Sequence, residues 1–367
     1  MEAILQLIQK VAKTHELSRE QIINLLESVD EQVKQELFAA ALKTKQRYFG
    51  DKVYLRALIE FSNYCRRDCL YCGLRRSNSR LVRYRLTPQE IRASCQEAYD
   101  LGYRSFVLQS GEDMWYSQEV LTELIRELKN GFPGAALTLS IGERTVREYA
   151  SFFAAGADRF LLRHETASPL IYGKLHPGMN QAERKACLSS LGRIGYQAGV
   201  GFMVGLPGQT FGDLADDLLY LQEISPHMAG IGPFIPHPDT PLAQEQGGSV
   251  EMTLVVLALA RLLLPDCLIP ATTALGSLDP VGREKALKAG ANVVMPSLTP
   301  VKLKQHYALY PGKICLEDEP GACKACMQKR IRESGFEPDF GRGDSPRWHQ
   351  EPGTRSIRKR VSRGQSP

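Results

Sequence analysis

The sequence lacks any long apolar run. A membrane-spanning helix needs roughly 18–20 consecutive apolar residues, and the longest candidate, residues 253–264, contains Arg261 and is followed by Pro265. The first residues, MEAILQLIQKVAKTHEL, mix acidic with apolar side chains and do not resemble a secretory signal peptide. We therefore expect no membrane partner and a location in the reducing cytoplasm.

The chain also lacks an excess of charge outside its last residues. Its formal net charge of +5 comes from 46 basic and 41 acidic side chains. Residues 341–367 hold seven of the basic and two of the acidic residues, which leaves 39 of each in the first 340 residues. A neutral body gives no electrostatic reason to expect nucleic acid as a partner. The basic end, residues 336–367, is poor in apolar residues, and we predict that it is a disordered tail.

The nine cysteines do not suggest a disulfide framework, because their number is odd and no export signal is visible. Six of them form two tight groups, which favours metal binding. The first group is Cys65, Cys69 and Cys72, and the second is Cys315, Cys323 and Cys326. The remaining three, Cys95, Cys187 and Cys267, lie in apolar segments and are expected to pack as small buried residues.

Short apolar, β-branched runs alternate with segments of helical periodicity through the middle of the chain. There are eight such runs, at 53–62, 105–110, 136–141, 159–164, 199–205, 228–235, 267–273 and 292–297. Eight strand–helix units predict an α/β fold, a complete (β/α)8 TIM barrel over residues 51–300. A doubly wound open sheet is the alternative.

Three further segments complete the predicted organisation. Residues 1–50 form an N-terminal helical extension, in which Ser18 and Gln21 are spaced as a capping box. Residues 301–335 form a C-terminal extension that carries the second cysteine group. The basic tail, 336–367, follows it.

The first cysteine group has the spacing C-x3-C-x2-C directly after the first predicted strand. A cluster of four irons held by three thiolates has one iron open to an external ligand. A tetrahedral zinc ion would require a fourth protein ligand, and no histidine lies nearby in the sequence. Three unpaired structural cysteines are the remaining alternative.

With the aromatic Tyr71 before its last cysteine, this loop resembles the signature of radical S-adenosylmethionine (SAM) enzymes. The resemblance implies a [4Fe-4S] cluster on Cys65, Cys69 and Cys72, with SAM on the open iron. It also implies reductive cleavage of SAM to a 5′-deoxyadenosyl radical, with the electron supplied by a donor such as ferredoxin or flavodoxin. The difficult chemistry belongs to the cofactor, and the protein positions it and excludes water.

Companion motifs agree with this resemblance. Ser110-Gly111-Glu112-Asp113 resembles the Gly-Gly-Glu element of the superfamily, with Ser110 in place of the first glycine. Gly205-Leu206-Pro207-Gly208 resembles the glycine-rich passage beside adenine. Ordinary ion pairs and a plain turn are the alternatives. The cofactor-binding residues implied are Tyr71, Gln109, Gly111, Glu112, Ser140, Glu165, Arg184, Met203 and Gly205.

A closer resemblance covers residues 55–326. The stretches FSNYCRRDCLYCGLRRSNSRLVRYRLTPQEI, LLRHETASP, GIGPFIPHPDTPLA, PATTALG and LYPGKIC are similar to the HydE family of [FeFe]-hydrogenase maturases, in the biotin synthase-like subgroup. This implies a small sulfur-containing organometallic substrate, a role in assembly of the H-cluster dithiolate bridge, and other maturases as partners. The substrate-binding residues implied are Thr138, Arg159, Arg163, Thr272, Thr273, Met295, Tyr307 and Tyr310.

The second cysteine group has the spacing of an accessory iron–sulfur site found in some members of this family. The resemblance implies a second [4Fe-4S] or [2Fe-2S] cluster. Three thiolates leave its fourth ligand open to solvent, a small molecule or another residue, for which His306 is a candidate. A zinc knuckle is the alternative for this site. For the whole chain, two further hypotheses remain. One is another biotin synthase-like enzyme acting on an amino acid or thiol, and the other is a non-catalytic iron–sulfur scaffold.

Overall fold

The computed structural model describes residues 2–349. Three helices come first, α1 (Glu2–Thr14), α2 (Arg19–Glu27) and α3 (Glu31–Phe49). Ser18 and Gln21 form the predicted capping box at the start of α2, and Asp30 Oδ1 accepts a hydrogen bond from the backbone of Val33 at 2.8 Å. Both caps satisfy amide groups that the first turn of a helix leaves open.

Strands and helices then alternate along the chain. The strands are β1 (Lys52–Leu55), β2 (Ala57–Ser62), β3 (Ser105–Ser110), β4 (Ala136–Ser140), β5 (Arg159–Leu161), β6 (Gln197–Val204), β7 (Met228–Pro233), β8 (Val293–Val294) and β9 (Glu337–Asp339). The helices are α4 (Pro88–Asp100), α5 (Gln118–Gly131), α6 (Val146–Ala155), α7 (Pro169–Leu175), α8 (Gln181–Ile194), α9 (Phe211–Ile224), α10 (Val250–Leu263), α11 (Thr273–Leu278), α12 (Gly282–Lys288), α13 (Val301–Lys304) and α14 (Pro320–Glu333). A short 3-10 helix covers Pro346–His349.

The strands form two parallel sheets. One has six strands in the order β2 to β7, and the other has the order β8-β1-β9. Isolated parallel bridges also pair Leu58 with Ser297, Met228 with Leu268, and Pro270 with Val293. The α/β class with parallel strands is therefore confirmed. Within residues 2–349, the predicted strand at 267–273 is present only as these single bridges.

The two faces of the six-stranded sheet differ in chemistry. Alternate residues such as Ile59, Leu108 and Leu139 join the hydrophobic core that includes the surrounding helices. Their neighbours in sequence lie on the opposite face, which we call the polar face. It carries the register-paired residues Glu60, Gln109, Ser140, Thr138, Arg159 and Gln197. Four of them, Glu60, Thr138, Arg159 and Gln197, are buried, and buried polar side chains require polar partners.

The predicted disorder from residue 336 is wrong for the residues up to 349. Strand β9 pairs with β1, and Asp344 Oδ1 lies 2.5 Å from Arg159 Nη2. We call residues 337–349 the C-terminal strap. Asp344 and Arg342 are counter-charges for the buried Arg159 and Asp158, so the polarity of the strap does not indicate a solvated tail. Residues 350–367 lie outside the described part of the chain.

No helix within residues 2–349 has the length and apolar character needed to cross a membrane.

Candidate iron–sulfur and cofactor site

The first three cysteines lie on a loop that leaves β2 and is held by backbone hydrogen bonds from three other segments. The amide of Glu112 donates to Cys65 Sγ at 3.3 Å. The amide of Leu70 donates to Leu175 O at 2.9 Å, and that of Gly73 to Leu309 O at 3.0 Å. The loop is therefore positioned by the carboxyl end of β3, by α7 and by the C-terminal extension.

Burial raises the pKa of all three thiols, and the neighbouring thiols add to the effect at Cys69 and Cys72. The pKa of Cys72 reaches about 12. Each thiol therefore releases a proton when a metal binds. Within residues 2–349, no three His, Cys, Asp or Glu side chains lie close enough to hold one metal ion. The ligands of a four-iron cluster bind separate irons, so they need not lie as close together as the ligands of one ion.

Two glycines allow the loop to pack closely. A Cβ atom on Gly111 would lie 2.2 Å from the carbonyl oxygen of Tyr64 and 2.9 Å from Cys65 Cβ. A Cβ atom on Gly73 would lie 2.0 Å from the carbonyl oxygen of Ala308. Neither position has space for a side chain. The Ser110-Gly111-Glu112 segment therefore lies directly against the cysteine loop, as a cofactor cradle requires.

Two buried carboxylates and three arginines form a network beside the loop. Glu112 accepts from Arg66 Nε at 2.7 Å and also from Arg67 Nε. Glu143 lies 2.8 Å from Arg184 and 2.5 Å from Arg67. Glu143 was not predicted from the sequence, although it follows the carboxyl end of β4, where the barrel rule places functional groups.

Arg163 and Glu165 form a polar pair whose hydrogen bonds are incomplete. Arg163 Nε and Glu165 Oε2 form an ion pair at 3.2 Å without the alignment of a hydrogen bond, and within the described chain the buried Arg163 Nη2 has no hydrogen-bond partner. Glu165 also has a φ of 70°, a left-handed conformation that is unusual for a non-glycine residue and concentrates at functional sites. These groups fit a polar ligand that completes their hydrogen bonds.

An apolar wall adjoins this polar site. Tyr71 is packed against a small cluster that contains Met203 and Leu206, and its hydroxyl lies 3.0 Å from His176 Nε2. Gly205 has a φ of 85°, and a Cβ atom there would lie 2.3 Å from Gly248 Cα. The turn that begins at Gly205 lines an open groove of about 710 Å³.

A second polar group lies where the C-terminal extension meets the sheet. Lys313 Nζ lies 2.5 Å from Glu60 Oε1, and Ser297 Oγ donates to Glu60 Oε2 at 3.0 Å. Tyr307 is buried and hydrogen-bonds to Gln109, and burial raises its pKa well above the ordinary value. Burial likewise raises the pKa of Tyr310, to about 12. Both tyrosines were predicted from the sequence, but the Glu60–Lys313 pair was not.

The other predicted substrate residues are not all brought together. Thr138 is buried with its hydroxyl unpartnered among the described residues, whereas Met295 packs in an apolar cluster with Tyr54 and Leu161. Thr272 caps α11, and Thr273 Oγ1 accepts from Arg283 at 3.0 Å. Arg159 differs most from the expectation. It begins β5, at the end of the strand opposite to the cysteine loop, and is paired with the strap.

Two of the three thiols of the second cysteine group lie close together. Cys315 and Cys323 share a side-chain hydrogen bond, and Cys315 has a φ of 63°. Cys323 is buried on α14, while Cys326, one turn later, is exposed. An exposed third thiol is accessible to an external metal source.

Comparison with known proteins agrees with this geometry. Residues 59–221 match the radical SAM superfamily. The chain is 49% identical to the [FeFe] hydrogenase maturase subunit HydE of Thermotoga maritima, over 92% of this chain and 96% of that protein. It is 30% identical to the 3-methylornithine synthase of Methanosarcina acetivorans, over 90% of this chain and 93% of that protein.

A solved structure of methylornithine synthase superposes with a TM-score of 0.79. It is 26% identical and covers 91% of this chain and 97% of that one. On these similarities, the chain belongs to the HydE family of [FeFe]-hydrogenase maturases within the radical SAM superfamily.

Proposed function

We propose that the chain is a HydE-type radical SAM enzyme. The observation that carries this proposal is the contact between the three-cysteine loop and Gly111-Glu112, together with the Arg163–Glu165 pair. When bound, the [4Fe-4S] cluster and SAM supply a one-electron cleavage of a carbon–sulfur bond that yields methionine and a 5′-deoxyadenosyl radical.

The fold proposed for this activity is a complete (β/α)8 barrel. The isolated bridges of Leu58, Met228 and Pro270 support it, as do the hydrogen bonds from Arg56 N to Val294 O at 3.0 Å and from Ala229 N to Leu268 O at 2.9 Å. Together they connect β7 through residues 268–270 to β8 and back to β2. In such a barrel the polar face lines the interior, and the cysteine loop lies at the carboxyl ends of the strands.

The chain's own residues have separate tasks in this proposal. Cys65, Cys69 and Cys72 hold three irons. Arg184 and Glu165 orient the charged groups of SAM, because Arg binds planar carboxylates well and the Glu165 carboxylate, in an ion pair with Arg163, can accept a hydrogen bond from an ammonium group. Gln109, Ser140 and the backbone of Gly111 and Gly205 complete the contacts, and Tyr71 and Met203 exclude water from the reacting bond.

The proposed substrate is a small sulfur-containing organometallic species used in H-cluster assembly. The proposed binding residues are Thr138 on the polar face together with Arg163, Tyr307 and Tyr310. The Thr138 hydroxyl and Arg163 Nη2 have no hydrogen bond within the described chain and suit a small anionic group. The 49% identity to a HydE supports this choice of substrate. The proposed site for a second cluster is Cys315, Cys323 and Cys326.

The test of the enzyme class is SAM cleavage by anaerobically reconstituted, dithionite-reduced protein. We expect 5′-deoxyadenosine to accumulate with the wild type, and Cys69→Ala to abolish it because one iron loses its ligand. Cys95→Ala removes a buried cysteine outside both groups and is the matched control, with cleavage retained. A fully loaded wild type that releases no 5′-deoxyadenosine would refute the enzyme proposal and leave a scaffold.

The HydE subtype needs a separate experiment. Expression of the chain in a host that makes an [FeFe] hydrogenase but lacks its own HydE should restore hydrogenase activity. Restoration by the wild type and not by Cys69→Ala would support maturation chemistry. SAM cleavage without restoration would instead favour an amino-acid substrate, in line with the 30% identity to a 3-methylornithine synthase.

A further inference from the structure

The cysteine loop is part of a surface segment of unusual composition. Residues 64–86 contain seven arginines, no lysine and one acid, Asp68. The arginines are Arg66, Arg67, Arg75, Arg76, Arg80, Arg83 and Arg85. Arginine is enriched at protein–protein interfaces, whereas lysine is depleted there. Arg67, Arg75 and Arg83 are bound within the fold, by Glu112, by Asp68 and by backbone carbonyls respectively. Arg76 and Arg80 are exposed, and neither this packing nor the proposed SAM site accounts for them.

Exposed apolar side chains lie among these arginines. Val82, Met114 and Trp115 are 61%, 43% and 55% exposed. The Arg85 guanidinium lies 3.6 Å from the ring centre of Tyr64 and 5.5 Å from that of Trp115. Because Tyr64 directly precedes Cys65, the contacts of Arg85 place Trp115 close to the start of the cluster loop.

The charges of this surface are arranged with the cations outermost. Arg66 is paired with Glu112, and their side chains are 45% and 3% exposed. Arg85 is paired with Asp113, and their side chains are 30% and 3% exposed. Arg80 is paired with Asp239, and their side chains are 80% and 26% exposed. The acids lie beneath the arginines, so a macromolecule that approaches from solvent meets positive charge even though most of the pairs are balanced.

We propose that this surface docks a small acidic one-electron carrier protein that reduces the cluster on Cys65, Cys69 and Cys72. We call it the arginine face and define it by Arg66, Arg76, Arg80, Val82, Arg85, Met114 and Trp115. The proposal rests on the proposed radical SAM function. In the delivery step the carrier loses one electron and the cluster gains one, and no bond is made or broken.

Three features of the arginine face fit this partner. Trp, Met and Arg are the residue types that dominate the energetics of interface centres. Positive charge steers an acidic protein and raises its association rate, which suits a carrier that must bind, transfer and leave. The face also includes neighbours of the cluster ligands, since Arg66 follows Cys65 in sequence and the backbone of Arg76 donates to Arg67 O at 2.8 Å.

The test compares two reductants of the same reconstituted enzyme. Dithionite needs no docking surface, whereas an acidic low-potential ferredoxin, kept reduced by its reductase, does. The variant is Arg76→Glu with Arg80→Glu, two exposed residues outside the proposed cofactor contacts. The control is Arg126→Glu with Arg193→Glu, which makes the same change in charge at exposed positions on α5 and α8.

We expect the variant to cleave SAM with dithionite as fast as the wild type, and its KM for ferredoxin to rise at least about tenfold. The control should match the wild type with both reductants. Trp115→Ala should also raise the KM for ferredoxin, but without changing its dependence on salt. An unchanged KM in both variants, or a wild type reduced by dithionite and not by ferredoxin, would overturn the docking proposal. A wild type that fails with dithionite would refute the enzyme proposal instead.

Discussion

At the scale of single residues, the cysteine loop depends on positions where no side chain fits. Gly111 is such a position, because the atom nearest to a Cβ added there is a backbone oxygen that cannot rotate away. The same glycine begins the segment whose amide, at Glu112, donates to Cys65 Sγ. A small change there therefore alters both the path of the loop and the environment of a cluster ligand.

We expect Gly111→Ala to lower the iron and sulfide content after reconstitution and to cost about 2 kcal/mol of stability, as overpacking in a tight site does. Gly134→Ala is the matched control, because a Cβ there has open space within 4 Å among the described residues. Iron and sulfide analysis together with thermal unfolding would check both variants. Equal cluster content in the two would show that the loop does not need the close contact.

A residue of the site could be predicted from the sequence when the residues that mark it are close neighbours in the chain. The cysteine spacing and Gly111 lie in short motifs, so the sequence alone identifies them. Glu143 and the Glu60–Lys313 pair were missed because their partners come from distant segments. Lys313 is 253 positions from Glu60, and only the folded chain brings that ammonium group to a buried carboxylate.

At the scale of elements, most strands follow from periodicity, and the exceptions have physical causes. The run at 267–273 contains Pro270, which cannot donate a backbone hydrogen bond, and it forms only single bridges. The run at 53–62 is divided at Arg56 into β1 and β2. The strap was mistaken for a disordered tail because its composition is polar, and the buried arginine that binds it is not visible in a local pattern.

The strap predicts a measurable acid sensitivity. Burial raises the pKa of Asp344, but Arg159 and hydrogen bonds from Arg342 and Gln197 outweigh burial and hold the pKa well below its ordinary value. A depressed folded-state pKa gives stability that is present above the unfolded value of about 3.9 and is lost as the pH falls further. Asp344→Asn should therefore cost about 3 kcal/mol at neutral pH.

Denaturant unfolding of the wild type and of Asp344→Asn between neutral pH and about pH 3 checks this expectation. The difference in their free energy of unfolding should shrink as the pH falls below about 3.9. Asp266→Asn is a suitable control, because this acid is paired with Arg347 of the strap but its side chain is 25% exposed. A difference between wild type and Asp344→Asn that stays constant with pH would mean that the carboxylate charge is not what anchors the strap.

At the scale of the whole molecule, the two cysteine groups belong to different parts of one chain and meet through a shared segment. The first lies between β2 and α4, and the second lies on and before α14. Residues between α13 and α14 join them, since the Gly73 amide donates to Leu309 O and Lys313 reaches Glu60. These contacts involve backbone and a lysine rather than the thiols of the second group.

The second group should therefore be separable from catalysis. We expect the triple variant of Cys315, Cys323 and Cys326 to Ala to bind less iron than the wild type and to cleave SAM at a rate within about twofold. Helix α14 keeps its anchors, because Met327 and Ile331 are buried and Arg330 is paired with Glu284. Loss of the buried Cys323 thiol should cost on the order of 1 kcal/mol. Iron analysis and 5′-deoxyadenosine release, measured on one preparation of the triple variant, distinguish loss of the second cluster from loss of SAM cleavage. If the triple variant stays folded and its cleavage activity disappears, the second group takes part in electron delivery and is not an accessory site.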